Sequence, residues 1–383
     1  MTSRIESHIA FLNEADKLKT VERSNVLMNL SRAENSAEHS WHLALYALVF
    51  APIAAPEVSI ARVIRMLLLH DLVEIDVGDH PIHLDTDWDA VAQAETEAAA
   101  RVFGLLPPDQ AADLTALWSE FEASTTPDAQ FAKMLDHSQP LFQVLYAKEP
   151  LADHMDIVHE NLSTGRASYL KSSFPEAFAQ ASLMAKGEQP DQDTDMSRRL
   201  AFLAEADGLK SVYRATRILD ASRRENSGEH SWHIALYALI LAEHAKRPVD
   251  LDRVIRMLLI HDLVEIDVGD SPIHGDHDIS EMEAAEQAAA DRIFGLLPAE
   301  QGTALRALWD EFEAATSDDA VFAKSIDRVQ PVICNLETGG GTWPEYNVTA
   351  QQLEDRVGWK VAKGAPAIWD HLQTRIRAWF AAA

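Results

Sequence analysis

Cysteine is nearly absent: the 383 residues hold one, Cys334. No intrachain disulfide can form, so nothing points to an oxidising compartment. Positive charge is scarce as well. Lys plus Arg number 33 against 61 Asp plus Glu, a formal net charge of -28. A surface of that sign repels a phosphate backbone, which sets aside a nucleic acid polymer as partner. A small phosphorylated ligand is still admissible, because a metal ion and one or two arginines reverse the field locally. The opening residues, Met1 to Glu6, are polar and carry no apolar signal-peptide core. The longest apolar stretch, Leu43 to Pro56, is short for a membrane span and reads as a buried helix. Runs of alternating Val, Ile and Thr bounded by turns are missing too, which argues against a β architecture. The expectation is a cytoplasmic, all-α protein with no membrane partner.

What the chain has is a duplication. Phe11-Leu12-Asn13-Glu14-Ala15-Asp16 returns as Phe202-Leu203-Ala204-Glu205-Ala206-Asp207, and Glu34 to His42 returns as Glu225 to His233. The offset between Phe11 and Phe202, 191 residues, holds without a gap as far as Pro140 and Pro331, with about three in five positions identical. Solenoid repeats run at roughly 20–50 residues, so a period this long means two copies of a whole domain. The polar, Gly- and Pro-containing stretch from Lys186 to Asp195 reads as a linker. The domains are therefore placed at 1–185 and 197–383, with 186–196 between them. After Pro140 and Pro331 the copies part, and the second alone has a Gly339-Gly340-Gly341 loop, which either closes over a site or lies on the surface. Within each copy, apolar residues such as Trp41, Leu43, Ala44, Ala47, Leu48 and Ala51 fall at helical spacing.

Three separated elements of each copy supply metal-ligand side chains. They are His39, the pair His70-Asp71, and Asp136 in the first copy; His230, His261-Asp262 and Asp327 in the second. Two imidazoles and two carboxylates suit a divalent ion of the Mn, Fe, Co or Zn kind and leave positions open for water and substrate. A satisfied polar knot is the bland alternative for any single residue. The same knot kept twice, while neighbours such as Val26/Arg217 and Pro56/Arg247 drifted, favours chemistry. Glu74 and Glu265 follow the Asp of each pair by three residues, about one helical turn, and His70 and Glu74 share a helix face by spacing. A carboxylate there can serve a metal-bound water as general acid or base. Asp79 and Asp270 follow Gly78 and Gly269 in a turn, where they either bind substrate hydroxyls or cap a helix.

The ordered set Arg-x-Glu-Asn-x-x-Glu-His-Ser, His-Asp-x-x-Glu-x-x-x-Gly-Asp and Lys-x-x-Asp resembles the HD superfamily of metal-dependent phosphohydrolases. It is most like the branch with the YfbR-type 5′-deoxynucleotidases and the HD domain-containing protein 2 group. The resemblance runs from about Phe11 to Pro140 and from Phe202 to Pro331. It implies an all-α fold with two tandem HD-type domains and one divalent metal (Mn, Co, Fe, Mg or Zn) per domain. The metal would be held by His39, His70, Asp71 and Asp136, and by His230, His261, Asp262 and Asp327. It further implies Glu74 and Glu265 as the catalytic acids, Arg23 and Arg214 as phosphate-orienting residues, and Asp79 and Asp270 near the sugar. The implied substrate is a nucleoside or deoxynucleoside 5′-monophosphate. Relatives that pair as homodimers suggest that the two copies pack as an intramolecular pseudo-dimer, which a solution mass near 42.5 kDa would fit. One departure stands out. The YfbR-type enzymes follow the Arg with a Trp that helps select deoxyribose, whereas here Ser24-Asn25 and Ala215-Thr216 follow.

Two other readings compete. Some HD proteins hold two irons and oxidise their substrate through extra histidines; His83 and His274 are candidates for such a ligand, but His80 is matched by Ser271. His42 and His233, three residues past the first ligand, read as packing or supporting groups. A nucleotide-binding regulatory protein with a dead site is the second alternative. It is disfavoured because neither copy has lost a ligand, the Glu or the Arg.

Overall fold

The computed structural model describes residues 3–80, 86–271 and 279–382. In the first repeat, α1 (Arg4–Ala15) runs through a 3₁₀ turn (Asp16–Thr20) into a two-stranded antiparallel ribbon, β1 (Glu22–Val26) and β2 (Ala33–Asn35). Then come α2 (Ser36–Val49), α3 (Ile60–Leu69), a 3₁₀ turn at His70–Val73 and α4 (Glu74–Val77). Helices α5 (Trp88–Phe103), α6 (Pro108–Ala123) and α7 (Pro127–Leu145) complete the shared part. The second repeat follows the same order with β3 (Tyr213–Arg217), β4 (Arg224–Asn226), α12 (Ser227–Leu241), α13 (Leu251–Ile260), α14 (Glu265–Val268), α15 (Ile279–Phe294), α16 (Ala299–Ala314) and α17 (Asp318–Glu337). The fold is all-α, with two short ribbons added. Those ribbons were not expected: Glu22-Arg23-Ser24-Asn25-Val26 has little β-propensity, and backbone pairing with the segment before α2 holds it extended.

Local chemistry starts the central helices where it does. Asn35 caps α2 through a reciprocal box with Glu38, and Asn226 caps α12 the same way with Glu229, satisfying end N–H groups that would otherwise be buried unpaired. Ser59 caps α3, and Thr126 with Pro127 opens α7. Helix α2 is buried along its whole length because α3, α7 and the opposite repeat's α12 pack around it. Beyond Pro140 and Pro331, which lie inside α7 and α17, the repeats differ. The first continues with α8 (Ala152–Ser163), α9 (Leu170–Ser173) and α10 (Pro175–Ala185). From there the chain passes to α11 (Asp195–Ala206), which opens the second repeat. The second repeat ends with α18 (Thr342–Glu345), α19 (Ala350–Leu353), a π turn (Glu354–Gly358), α20 (Trp359–Gly364) and α21 (Pro366–Ala382).

The repeats meet along α2 and α12, and the polar contacts there come in pairs. The Trp41 indole donates to the Leu259 carbonyl and Trp232 to that of Leu68, both at 3.1 Å. Asn35 donates to Glu229 and Asn226 to Glu38, both at 2.6 Å. Burial, reinforced by the facing Glu229, raises the Glu38 carboxyl to about 7 even though Arg32 grips it. Trp41 is fully buried and bridges both halves. Trp41→Ala is accordingly expected to lower stability in urea unfolding by about 3–5 kcal/mol. A loss below about 1 kcal/mol would show that the seam does not carry the fold. Among the described residues, no helix is long and apolar enough to cross a membrane.

Candidate metal centres

The first candidate centre sits where α2, the turn after α3 and α7 converge, and the second where α12, the turn after α13 and α17 do. His39 projects from α2, and its Nε2 lies 3.2 Å from Asp136 Oδ1 on α7. His70 and Asp71 sit on the 3₁₀ turn, which Trp118 pins by donating its indole N–H to the His70 carbonyl at 3.3 Å. The Nδ1 of His70 lies 2.9 Å from the Leu67 carbonyl. A carbonyl only accepts, so Nδ1 carries the proton and the Nε2 lone pair is left free. That Nε2 is buried without a hydrogen-bond partner and faces Asp71 Oδ1 at 3.0 Å. The second repeat matches closely: His230 Nε2 is 3.1 Å from Asp327 Oδ1, His261 Nδ1 is 2.8 Å from the Leu258 carbonyl, and His261 Nε2 is 2.9 Å from Asp262 Oδ1. The orphaned Nε2 of His261 repeats as well. In each repeat both imidazoles and the α7 or α17 aspartate place one ligand atom apiece within 4.8 Å of one another. Donors of this kind, with a buried lone pair aimed among them, fit a divalent transition metal.

The ribbon then adds a cation. Arg23, on β1, sets Nη1 3.1 Å from Asp71, 3.4 Å from Asp79 and 3.9 Å from Glu74. Arg214, on β3, lies 2.6 Å from Asp262, 3.7 Å from Asp270 and 3.8 Å from Glu265. The expected sharing of a helix face by His70 and Glu74 gives way here to a different arrangement. On a 3₁₀ turn residues three apart eclipse, so Asp71 and Glu74 come to one side and both reach the arginine. Asp79 and Asp270 lie just past the glycines that end α4 and α14 (φ 76° at both), outside the helices and on the arginine. Glu74 accepts from the Ser36 hydroxyl, and Glu265 from that of Ser227 at 2.6 Å. Burial, with Asp71 or Asp262 alongside, holds both glutamates well above the usual carboxylate range, which suits a proton donor. Against the cost of its own burial, His39 is raised to about 9 by Asp136 and Glu34.

All fourteen expected site residues thus lie around the two centres, seven to a repeat, with Asp71 and Asp262 outside the three-residue ligand clusters and against the arginines. His83 and His274 lie outside the described residues. Several polar neighbours had been given no role of their own: Ser36 and Ser227, Lys133 and Lys324, and Glu34 and Glu225, whose Oε2 atoms stand 3.6 and 3.5 Å from the Nδ1 of His39 and His230. All of these recur at the 191-residue offset, the signal that would have revealed them.

Above matching floors the walls differ. The first cavity, about 380 Å³, is closed by Asp153, His154, Asn161 and Arg166 from the α8 side. The second, about 760 Å³, is walled by Trp343, Tyr346, Trp359 and Lys360. The glycine loop shapes that wall. Gly340 has φ 105°, and a Cβ there would stand 2.2 Å from the Trp379 ring, so the chain turns tightly into α18 and delivers Thr342 and Trp343 to the cavity.

Comparison with known proteins gives the following. The HD domain family model matches residues 15–178 and again 206–369. The human protein 5′-deoxynucleotidase HDDC2 is 31% identical over 138 residues, 36% of this chain and 66% of that protein, so just under two thirds of its length is spanned. The fission yeast (Schizosaccharomyces pombe) protein 5′-deoxynucleotidase hdd1 is 26% identical over 143 residues, 36% of this chain and 71% of that one. A crystal structure of a predicted metal-dependent phosphohydrolase from Magnetospirillum magnetotacticum is 43% identical, covering 50% of this chain and 95% of the other, with a TM-score of 0.47.

Proposed function

Because this chain belongs to the HD-domain family, once in each half, we propose that it is a metal-dependent phosphomonoesterase with two sites, releasing phosphate from nucleoside or deoxynucleoside 5′-monophosphates. The observation that carries this is the paired constellation itself. A buried, unpartnered imidazole lone pair sits among carboxylates, with an arginine beside Asp71 or Asp262 and a glutamate whose carboxyl is raised by burial within reach, and all of it occurs twice. The names of the human and yeast relatives support the substrate class.

One divalent ion per domain, held by His39, His70, Asp71 and Asp136 or by His230, His261, Asp262 and Asp327, would supply Lewis-acid activation of the phosphate and of water. The protein's own groups do the rest. Arg23 or Arg214 presents a planar fork to the phosphate oxygens, exchanging its carboxylate partners for substrate. Glu74 or Glu265 delivers its proton to the departing 5′ oxygen as the P–O bond to the sugar breaks and the water oxygen bonds to phosphorus; a proton of that water restores the carboxyl. Asp79 or Asp270 is within reach of a sugar hydroxyl. Ser24-Asn25 line the first cavity and Ala215-Thr216 the second, and neither pair supplies an aromatic ring against the sugar. Deoxyribose selection is therefore expected to be weak. We read the seam along α2 and α12 as an intramolecular dimer of the two domains and the enzyme as cytoplasmic.

The test is phosphate release from a panel of deoxy- and ribonucleoside 5′-monophosphates. Metal-stripped protein is expected to be inactive, to recover on adding Mn²⁺, Co²⁺ or Mg²⁺, and to turn over deoxy and ribo forms within about tenfold of each other, under 1.4 kcal/mol of discrimination. Full activity in the stripped protein, or no release from any substrate with any metal, would refute the assignment.

A further inference from the structure

Two lysines are buried to 0% side-chain exposure in this chain, and each reaches out of its own repeat into the other. Lys210, on the 3₁₀ turn after α11, places Nζ 2.6 Å from Asp207, 2.7 Å from Glu34 Oε1 and 2.9 Å from His42 Nδ1. Lys19, on the turn after α1, contacts Asp16 and lies 2.8 Å from both Glu225 Oε1 and His233 Nδ1. His42 and His233 direct Nε2 at the carbonyls of Leu203 and Leu12, each at 2.9 Å, so their Nδ1 atoms are unprotonated and accept from the ammonium. The two clusters, Glu34-His42-Asp207 and Asp16-Glu225-His233, have the donor types of a metal site. In each, the ammonium already stands where a cation would go.

The glutamate is the link onward. One oxygen of Glu34 is held by Lys210, while the other, Oε2, stands 3.6 Å from His39 Nδ1; in the second repeat Glu225 Oε2 stands 3.5 Å from His230 Nδ1, which also lies 3.2 Å from Gln330 Oε1, a side chain that itself donates to Glu225. Glu34 Oε2 and His39 Nδ1 are both buried without a hydrogen-bond partner, and closing a few tenths of an ångström would pair them. A carboxylate behind a ligating imidazole fixes its tautomer and strengthens it as a ligand. That carboxylate is fully buried, where a charged group needs a paired cation to be held in place. The lysine of the other repeat supplies that cation, 2.7 Å from Glu34 and 2.8 Å from Glu225.

Resting on the metal reading above, we infer that each repeat's metal centre is set by a lysine of the other repeat: Lys210 is the positioning residue for the first site, through Glu34 and His39, and Lys19 for the second, through Glu225 and His230. Neither domain is then complete by itself.

The experiment uses the full chain and Mn²⁺ alone, titrated calorimetrically. His261→Ala leaves only the first site and His70→Ala only the second, so affinities are assigned without ambiguity. In the His261→Ala chain, Lys210→Met is expected to weaken Mn²⁺ binding about 10–100-fold, as loss of a supporting partner does, while Lys19→Met leaves it within twofold. In the His70→Ala chain the effects exchange. Lys210→Met/Asp207→Asn removes one of the carboxylates left unpaired and serves where the single variant unfolds. A merely structural lysine would lower the unfolding temperature of the metal-free protein without this crossover. Unchanged affinity in a folded Lys210 variant, or equal weakening of both sites by either lysine, would overturn the inference alone. No Mn²⁺ binding by either starting chain would overturn the metal reading and this inference with it.

Discussion

Replacing both Glu74 and Glu265 by Gln is expected to lower kcat for phosphate release by about 10²–10⁴-fold, the usual range for a lost general acid–base group. Gln has the same shape, so the hydrogen bonds from Ser36 and Ser227 persist and the turns carrying His70 and His261 should stay in place. What disappears is a transferable proton. Both glutamates are held by Ser36 or Ser227 and stand beside Arg23 or Arg214, and neither belongs to the proposed ligand set, so Mn²⁺ affinity and the unfolding temperature should be unchanged. The split between lost turnover and retained metal is the informative readout. A fall in metal affinity to match the fall in kcat would make these residues ligands. A kcat within threefold of the unsubstituted enzyme would remove them from the chemistry.

The candidate centres were legible in the sequence because their chemistry depends on residue type. His, Asp, Glu and Arg at fixed intervals carry their meaning wherever the backbone takes them, and the 191-residue offset marks the set twice. Geometry was less legible. The helical spacing from Val63 to Leu68 reads straight through His70, yet the backbone tightens there into a 3₁₀ turn pinned by Trp118. That change moves Glu74 from the side of His70 to the side of Asp71. The ribbon bearing Arg23 was hidden for a related reason: pairing with Ala33–Asn35, not side-chain pattern, keeps Glu22–Val26 extended. Least legible was the exchange across the seam. Lys19 and Lys210 stand in the repeated Leu-Lys motif, but only the packing of one repeat on the other brings them to Glu225 and Glu34.

Separating the two sites should expose two different enzymes in one chain. In the His70→Ala protein only the second site works, and in the His261→Ala protein only the first. Purine nucleotides are expected to show a kcat/KM at least tenfold higher in the His70→Ala chain. The seven site residues of one repeat match those of the other, so the difference is expected from the residues around them, the walls above all. The second cavity is about 760 Å³ against about 380 Å³, and it offers the half-exposed Trp359 ring together with Tyr346 to a base. Stacking of a base on an aromatic side chain contributes roughly 1–3 kcal/mol, about 5- to 150-fold in binding. Lys324, Arg328 and Lys360 line that cavity; in the first, Lys133 matches Lys324, His137 takes the place of Arg328, and Arg166 and Asp153 stand in the wall. Burial, with Arg328 and Lys324 close by, lowers the Lys360 ammonium. A small phosphomonoester with no base should lose this advantage and be hydrolysed at similar rates by the two single-site chains. Trp359→Ala in the His70→Ala background should bring the nucleotide rate down toward the small-ester rate. Equal nucleotide preference in both single-site chains would mean that the walls diverged without changing what the sites admit.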